Sequence, residues 1–153
     1  GLRKYRRVLQ ITEVRKHWEN DPLAERGFVD LMKYNPITDE LEPTPELING
    51  DSEVIKSIAG RVSEWAGNWD AIWANIQLRA AIQKTIVEYS ARYSSPEMLE
   101  ASFVIQSNDQ LHKLIEEVRT VEGAIDNKHV YLLWEDWMKR AIKQLSEEKE
   151  GAV

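Results

Sequence analysis

Side chains able to do covalent chemistry are sparse and scattered in this chain of 153 residues. His17, His112 and His129 stand alone. None has a second histidine at the three- or four-residue spacing that places two metal ligands on one helix face. Cysteine is absent, which excludes disulfides and thiolate metal centres. The acids Glu116–Glu117 and Glu147–Glu148 are adjacent on helical patterns, so they diverge and do not converge on one substrate. No GxxxxGK(S/T) loop offers a run of amides and a lysine to phosphate, and there is no GxGxxG, nucleophile elbow or triad. We therefore expect no catalytic residue, no cofactor-binding residue and no metal ligand in this chain.

Noncovalent recognition is better supplied. Six tryptophans are present. Trp65, Trp69 and Trp73 gather near one helix junction, and Trp134 and Trp137 lie three residues apart on the stripe of the last helix. Such aromatics either fill a core or anchor an interface. Trp134 and Trp137 are the pair we expect at an interface. Arg79 and Gln83 fall inside an otherwise apolar helix face, and a buried arginine needs a partner. The N-terminal segment is basic: Arg3, Lys4, Arg6, Arg7, Arg15 and Lys16 stand against Glu13 alone, a local balance of +5 on a chain of net −6. These cations, Arg6 and Arg7 foremost, can pair with the acidic body, a neighbouring subunit or nucleic acid. The acidic remainder repels phosphate, so nucleic acid is the least expected partner.

The elements that must carry these groups follow from periodicity. Residues 5–14, YRRVLQITEV, are rich in β-branched and aromatic types, but Arg7 and Glu13 share a face with Tyr5, Leu9 and Ile11. That mixture predicts an edge strand. Residues 15–27 read as a loop. Residues 28–34 alternate, with Phe28, Met32 and Tyr34 on one face and Val29 and Leu31 on the other. Asn35-Pro36-Ile37-Thr38-Asp39 is turn chemistry, Glu40 to Glu42 return as a short strand, and Pro43 and Pro45 end it.

The helices come next. Residues 52–66 place Val54, Ile55, Ile58, Ala59, Val62, Trp65 and Ala66 on one stripe, with Asp51 or Ser52 as N-cap and Gly67 as stop. Asn68 can cap a helix over 69–93 whose apolar arc spans roughly 220° at 100° per residue, which predicts the central helix of a bundle. Ser95-Pro96 starts a helix over 96–106, and Ser107-Asn108-Asp109 allows a break before 110–121. Gly123 stops that segment, and Asp126 or Asn127 caps the last helix, 128–146. The expected fold is mostly α: a helical bundle of about five helices preceded by a short antiparallel β-hairpin element. No apolar run approaches the roughly 20 residues of a membrane span, and no signal-peptide pattern is visible. The chain starts at Gly1, which fits a tag remnant. A strand pair at the N-terminus with almost no sheet to belong to leads us to expect a segment cut from a larger domain.

The order of motifs carries a resemblance. A basic strand, RRVLQITEV, precedes an apolar strand that runs into YNPITDELEP. An amphipathic helix, a long helix and the ending EYSARYSSPEML come after. This resembles the C-terminal segment of archaeal motor ATPases of the type II/IV secretion superfamily, which includes the archaellum and pilus motors. The likeness covers roughly residues 5–100. It rests on Arg6-Arg7-Val8, Ile11, Glu13-Val14 and Asn35-Pro36 with Thr38-Asp39; residues 101–150 have no counterpart in it.

The resemblance implies that residues 1–45 are a strand and hairpin element ending a truncated RecA-like core, and that 46–153 are the C-terminal helical domain. It implies a hexameric parent ATPase, cytoplasmic and peripheral to the membrane, that uses ATP and Mg and drives secretion or filament assembly. The implied partners are the parent's own ATPase core, neighbouring subunits and a membrane platform protein, with no nucleic acid. In that family the phosphate loop, acidic metal-binding motifs and arginine fingers lie upstream of the segment that begins at Arg3. The expected role of this chain is therefore non-catalytic. A stand-alone helical interaction module is the alternative reading, and a nucleic-acid-binding helical domain a third.

Overall fold

The computed structural model describes residues 4–152. Arg3, one of the basic N-terminal cations, lies outside the described residues. The chain forms two compact units, one up to Trp73 and one from Ala74 onward.

The first unit is built on a three-stranded antiparallel sheet, β1 (Gln10–Val14), β2 (Phe28–Asn35) and β3 (Glu40–Pro43), in the order β1-β2-β3. The β2–β3 turn closes as its residue types dictate. Asn35 Oδ1 accepts from the amide of Ile37 at 3.0 Å, and Asp39 takes the left-handed conformation, φ 56°. Val29 and Leu31 of β2 bury their side chains with Leu47, and Met32, Ile55, Trp69 and Trp73 pack around them. Leu47 belongs to α1 (Pro45–Ile48), a single turn capped by Thr44 with Pro45 at its start. Gly50 comes next at φ +84°, and its missing side chain makes room for the Trp69 indole. A Cβ there would lie 2.6 Å from the ring. The same indole donates from Nε1 to the carbonyl of Ile48 at 2.8 Å and stacks on Trp73.

Two expectations change in this unit. The N-terminal element is a strand only from Gln10, where it pairs with β2 as the third strand beside the β2–β3 hairpin. The helix expected over 52–66 is α2 (Glu53–Ala59), capped by Ser52, after which residues 60–66 run as turns. Gly60 is a poor helix former, and the carbonyls of Ile58 and Ala59 accept from the amides of Arg61 and Val62, three residues on. The stripe is not needed in full: Val54 and Ile58 are exposed. Leu47, Ile55, Trp69 and Trp73 pack with the sheet, and the compact unit runs to Trp73.

The second unit holds most of α3 (Trp69–Arg92), a 3-10 turn at Pro96–Leu99, α4 (Ala101–Glu122) and α5 (Asn127–Gly151). Its core joins Leu78, Ile82, Ile86 and Tyr89 of α3 to Leu111, Leu114 and Val118 of α4 and to Val130, Trp134, Met138 and Ile142 of α5. The spacing of three and four in each set is what one buried helix face requires. Burying such a side chain contributes about 1.5–3 kcal/mol, so this unit carries its own hydrophobic stabilisation.

Here too the expectations are adjusted. The apolar arc of α3 is narrower than its residue types suggest, because Val87 and Tyr93 are exposed. Ser95-Pro96 starts only the 3-10 turn, since the Ser95 hydroxyl donates to Glu97 Oε2 and caps no amide. The helices expected over 96–106 and 110–121 are one continuous α4. Ser107 does not break it, because it is buried and receives the indole of Trp134. Gly123 ends α4 in the left-handed conformation, φ 76°, and Asp126 caps α5 through the amide of His129. The chain is thus mostly helical, with four helices of seven or more residues beside the sheet among the described residues. No described helix is long and apolar enough to cross a membrane.

Candidate functional site

The most strongly determined polar site lies where β1 meets α2. A bulge in the β1–β2 ladder sets it up. Ile11 opposes Met32 but Thr12 opposes Asp30, so Leu31 is left over. One extra residue shifts the register by one and exchanges the faces of the residues beyond it. Glu13 now stands opposite Val29, on the packed face, and Val14 stands opposite Phe28, on the other.

Glu13 is only 5% exposed, yet it is fully occupied. Ser52 Oγ donates to its Oε2 at 2.5 Å, the amide of Glu53 to Oε1 at 2.9 Å and the amide of Val54 to Oε2 at 3.4 Å. Ser52 Oγ in turn accepts from the amide of Ile55 at 3.1 Å. These amides are the unpaired donors of the first turn of α2, where a negative charge is favoured. Burial alone would push the Glu13 carboxyl up. The bonds from Ser52, Glu53, Val54 and Arg15 outweigh it and hold the group below the ordinary glutamate value.

Arg15 extends the network. Its Nε lies 3.4 Å from Glu13 Oε1, and Nη2 donates to the backbone carbonyl of Asp51. Arg26 Nη2 pairs with Asp51 Oδ2 at 2.5 Å.

The expected interface cations separate. Arg7 forms a two-pronged pair with Asp39, Nε to Oδ1 at 2.6 Å and Nη2 to Oδ2 at 2.8 Å, and its guanidinium lies over the Tyr5 ring. Tyr34 donates to the same carboxylate at 2.8 Å. Hydrogen bonds from Arg7 and then Tyr34 hold Asp39 well below the usual carboxylate range, and Asp39 raises Arg7. Arg6 is exposed, and its carbonyl accepts from Arg7 Nη1. Two cations of the basic segment, Arg7 and Arg15, are therefore engaged by acids of the same chain.

On the other face Val14 and Phe28 are exposed as a pair, and Ile11, two residues before Glu13, is exposed as well. Tyr5, Val8 and Leu9 precede them, also exposed. β1 is an end strand of the described sheet. Exposed apolar side chains on an end strand suit contact with another strand or sheet.

In the second unit Trp134 has no accessible surface, and its Nε1 donates to Ser107 Oγ at 3.2 Å. It is a core residue, which corrects its expected place at an interface: its stripe position is filled by the packing of α4 on α5. Trp137 is half-buried, against Phe103 and Trp134. Arg79 donates from Nε to Asn75 Oδ1 at 3.0 Å. Arg6 and Arg7 thus belong to the first unit, and Arg79, Trp134 and Trp137 to the second.

No cluster of three potential metal ligands occurs among the described residues. The residues that sequence reasoning passed over are Glu13 and Asp39. Both carried a signal: an acid on an apolar strand face, and an acid at the position of a turn that favours the left-handed conformation. No protein-family model, curated protein or solved structure matches this chain.

Proposed function

We propose that this chain is the C-terminal, non-catalytic part of a hexameric secretion- or filament-assembly motor ATPase, mediating contacts with its own core, with neighbouring subunits and with a membrane platform protein. The observation that carries the proposal is the state of β1. One face is fastened to α2 through Glu13, while the other presents Val14 and Phe28 to solvent at the end of a small sheet, and Ile11 is exposed as well. An end strand of this kind suits continuation into a larger sheet, as the resemblance of RRVLQITEV implies. ATP and Mg would be held by the parent's core, and this part would work mechanically from the cytoplasmic side of the membrane.

The same strand face would also suit a stand-alone interaction module. The nucleic-acid reading loses ground, because Arg7 and Arg15 already face carboxylates. The gene upstream of Gly1 decides between parent and module. A phosphate loop about 150–250 residues before Gly1, the span of a nucleotide-binding core, is the expected result. An open reading frame that starts at this segment would overturn the motor reading.

A further inference from the structure

Helices α3 and α4 leave a groove of about 300 Å³ between them. Its bed is aliphatic, formed by Ile82, Ile86 and Leu111, and Ile105 stands exposed along its α4 side. Arg79, Gln83 and Asn108 bring polar side chains to it, and no acid lines it. The volume and the mixture suit a small ligand with an apolar body and one polar end.

Three details give the groove a chemical preference. Arg79 is oriented, because its Nε donates to Oδ1 of the buried Asn75. The remaining guanidinium nitrogens meet no protein acceptor among the described residues, nor do the amides of Gln83 and Asn108 have a partner there. Ser107, whose carbonyl and hydroxyl oxygens both receive Trp134 Nε1, makes no hydrogen bond with Arg79. A half-buried guanidinium beside aliphatic side chains is stabilised by an anion brought in on an apolar body, and its planar fork matches a carboxylate. A single cation with no second one nearby is a poor match for a doubly charged phosphate.

We propose that this groove binds a carboxylate carried on a short aliphatic stem. Arg79 anchors the anion, the Gln83 and Asn108 amides flank it, and Ile82, Ile86 and Leu111 receive the stem. Such a group is offered by a free short-chain acid or by a peptide whose C-terminal residue is aliphatic.

The test is an amide-resolved NMR titration of the whole chain with four probes: sodium hexanoate, hexylamine, and a leucine-terminated acetyl tripeptide as free acid and as amide. The expected result is saturable shifts at Arg79, Gln83, Ile105 and Asn108 with both carboxylates, binding about tenfold tighter than the amine or the amide. Arg79→Gln is expected to weaken carboxylate binding by about tenfold. The tighter of the two carboxylates identifies the source. Asn108→Asp changes an exposed residue, brings a like charge to the groove, and is expected to weaken binding similarly even if Arg79→Gln fails to fold. Equal binding of acid and amide, no saturation below about 20 mM, or unchanged affinity in Asn108→Asp overturns the proposal.

Discussion

One hydroxyl joins a strand to a helix in this protein: Ser52 Oγ donates to Glu13 at 2.5 Å while accepting from the amide of Ile55 at 3.1 Å. Glu13 therefore acts as an auxiliary cap for α2, reaching it from 39 residues away in sequence. Removing the carboxylate strands Ser52 and two first-turn amides in a buried place.

Glu13→Ala is accordingly expected to destabilise the first unit by about 2–4 kcal/mol, the range for unsatisfied buried donors once held by a charged acceptor. Ser52→Ala, which removes one donor and the cap, should cost about 1–2 kcal/mol. Urea melts followed by circular dichroism measure both. Equal, negligible effects would mean that the Glu13 network contributes nothing to the fold.

The pH dependence follows from the same group. Glu13 and Asp39 both titrate lower in the folded chain than in the unfolded one. The unfolded chain then binds more protons in acid, so stability rises with pH across this window. Their contribution is complete above the ordinary carboxylate values of about 4 and is lost as pH falls below them towards the depressed folded values. Melting temperatures between pH 6 and pH 2.5 should show this fall. Glu13→Gln should flatten it, and an unchanged slope in that variant would show that Glu13 is not responsible.

Two glycines with positive φ separate backbone strain from steric conflict. Gly67, φ +70°, has open space where an alanine methyl would stand, so Gly67→Ala should cost about 1 kcal/mol for the backbone alone. Gly50→Ala adds a clash with the Trp69 indole and should cost about 2–4 kcal/mol. The double variant Gly50→Ala with Trp69→Leu should recover part of the loss, since the clash is with the ring. No recovery would locate the cost in the backbone.

The two tryptophans of α5 should behave differently. Trp134→Ala empties a fully buried site and removes the hydrogen bond to Ser107, at an expected cost of about 3–5 kcal/mol. Trp137→Ala, half-buried, should cost about 1–2 kcal/mol. If Trp137 anchors a partner, its loss should weaken assembly of the full-length protein by more than its small effect on the melting curve suggests. Equal destabilisation by the two variants would contradict their different burial.

Much of this fold was legible. The alternation of Val29 and Leu31, the turn chemistry of Asn35 to Asp39, the Asn68 cap of α3 and the Gly123 stop are local events, and local sequence specified them. What escaped was non-local. The bulge at Leu31 decides which side of β1 is buried, and nothing within residues 10–14 announces it. The continuity of α4 through Ser107-Asn108-Asp109 depends on an indole arriving from α5. Trp134 and Trp137 share a stripe, and only the packing partner tells the core residue from the half-open one. As for the site, Arg6 and Arg7 were visible as charges, but the engagement of Arg7 by Asp39 is a tertiary contact between residues 32 positions apart.

The end strand has a colloidal consequence. Val8, Leu9, Ile11 and Val14 stand exposed along one short stretch of extended chain. Its outer backbone edge has no neighbouring strand among the described residues, which makes it a template on which further copies could stack. Lys4 and Arg6 stand just before that stretch, and Lys16 lies just after it. Two approaching copies would meet like charge at both ends of the template. That repulsion weakens as the Debye length shrinks, to roughly 10 Å at 0.1 M salt and 3 Å at 1 M. Ionic strength, acting through a handful of gatekeeping cations, should therefore govern how long this chain stays dispersed in a tube.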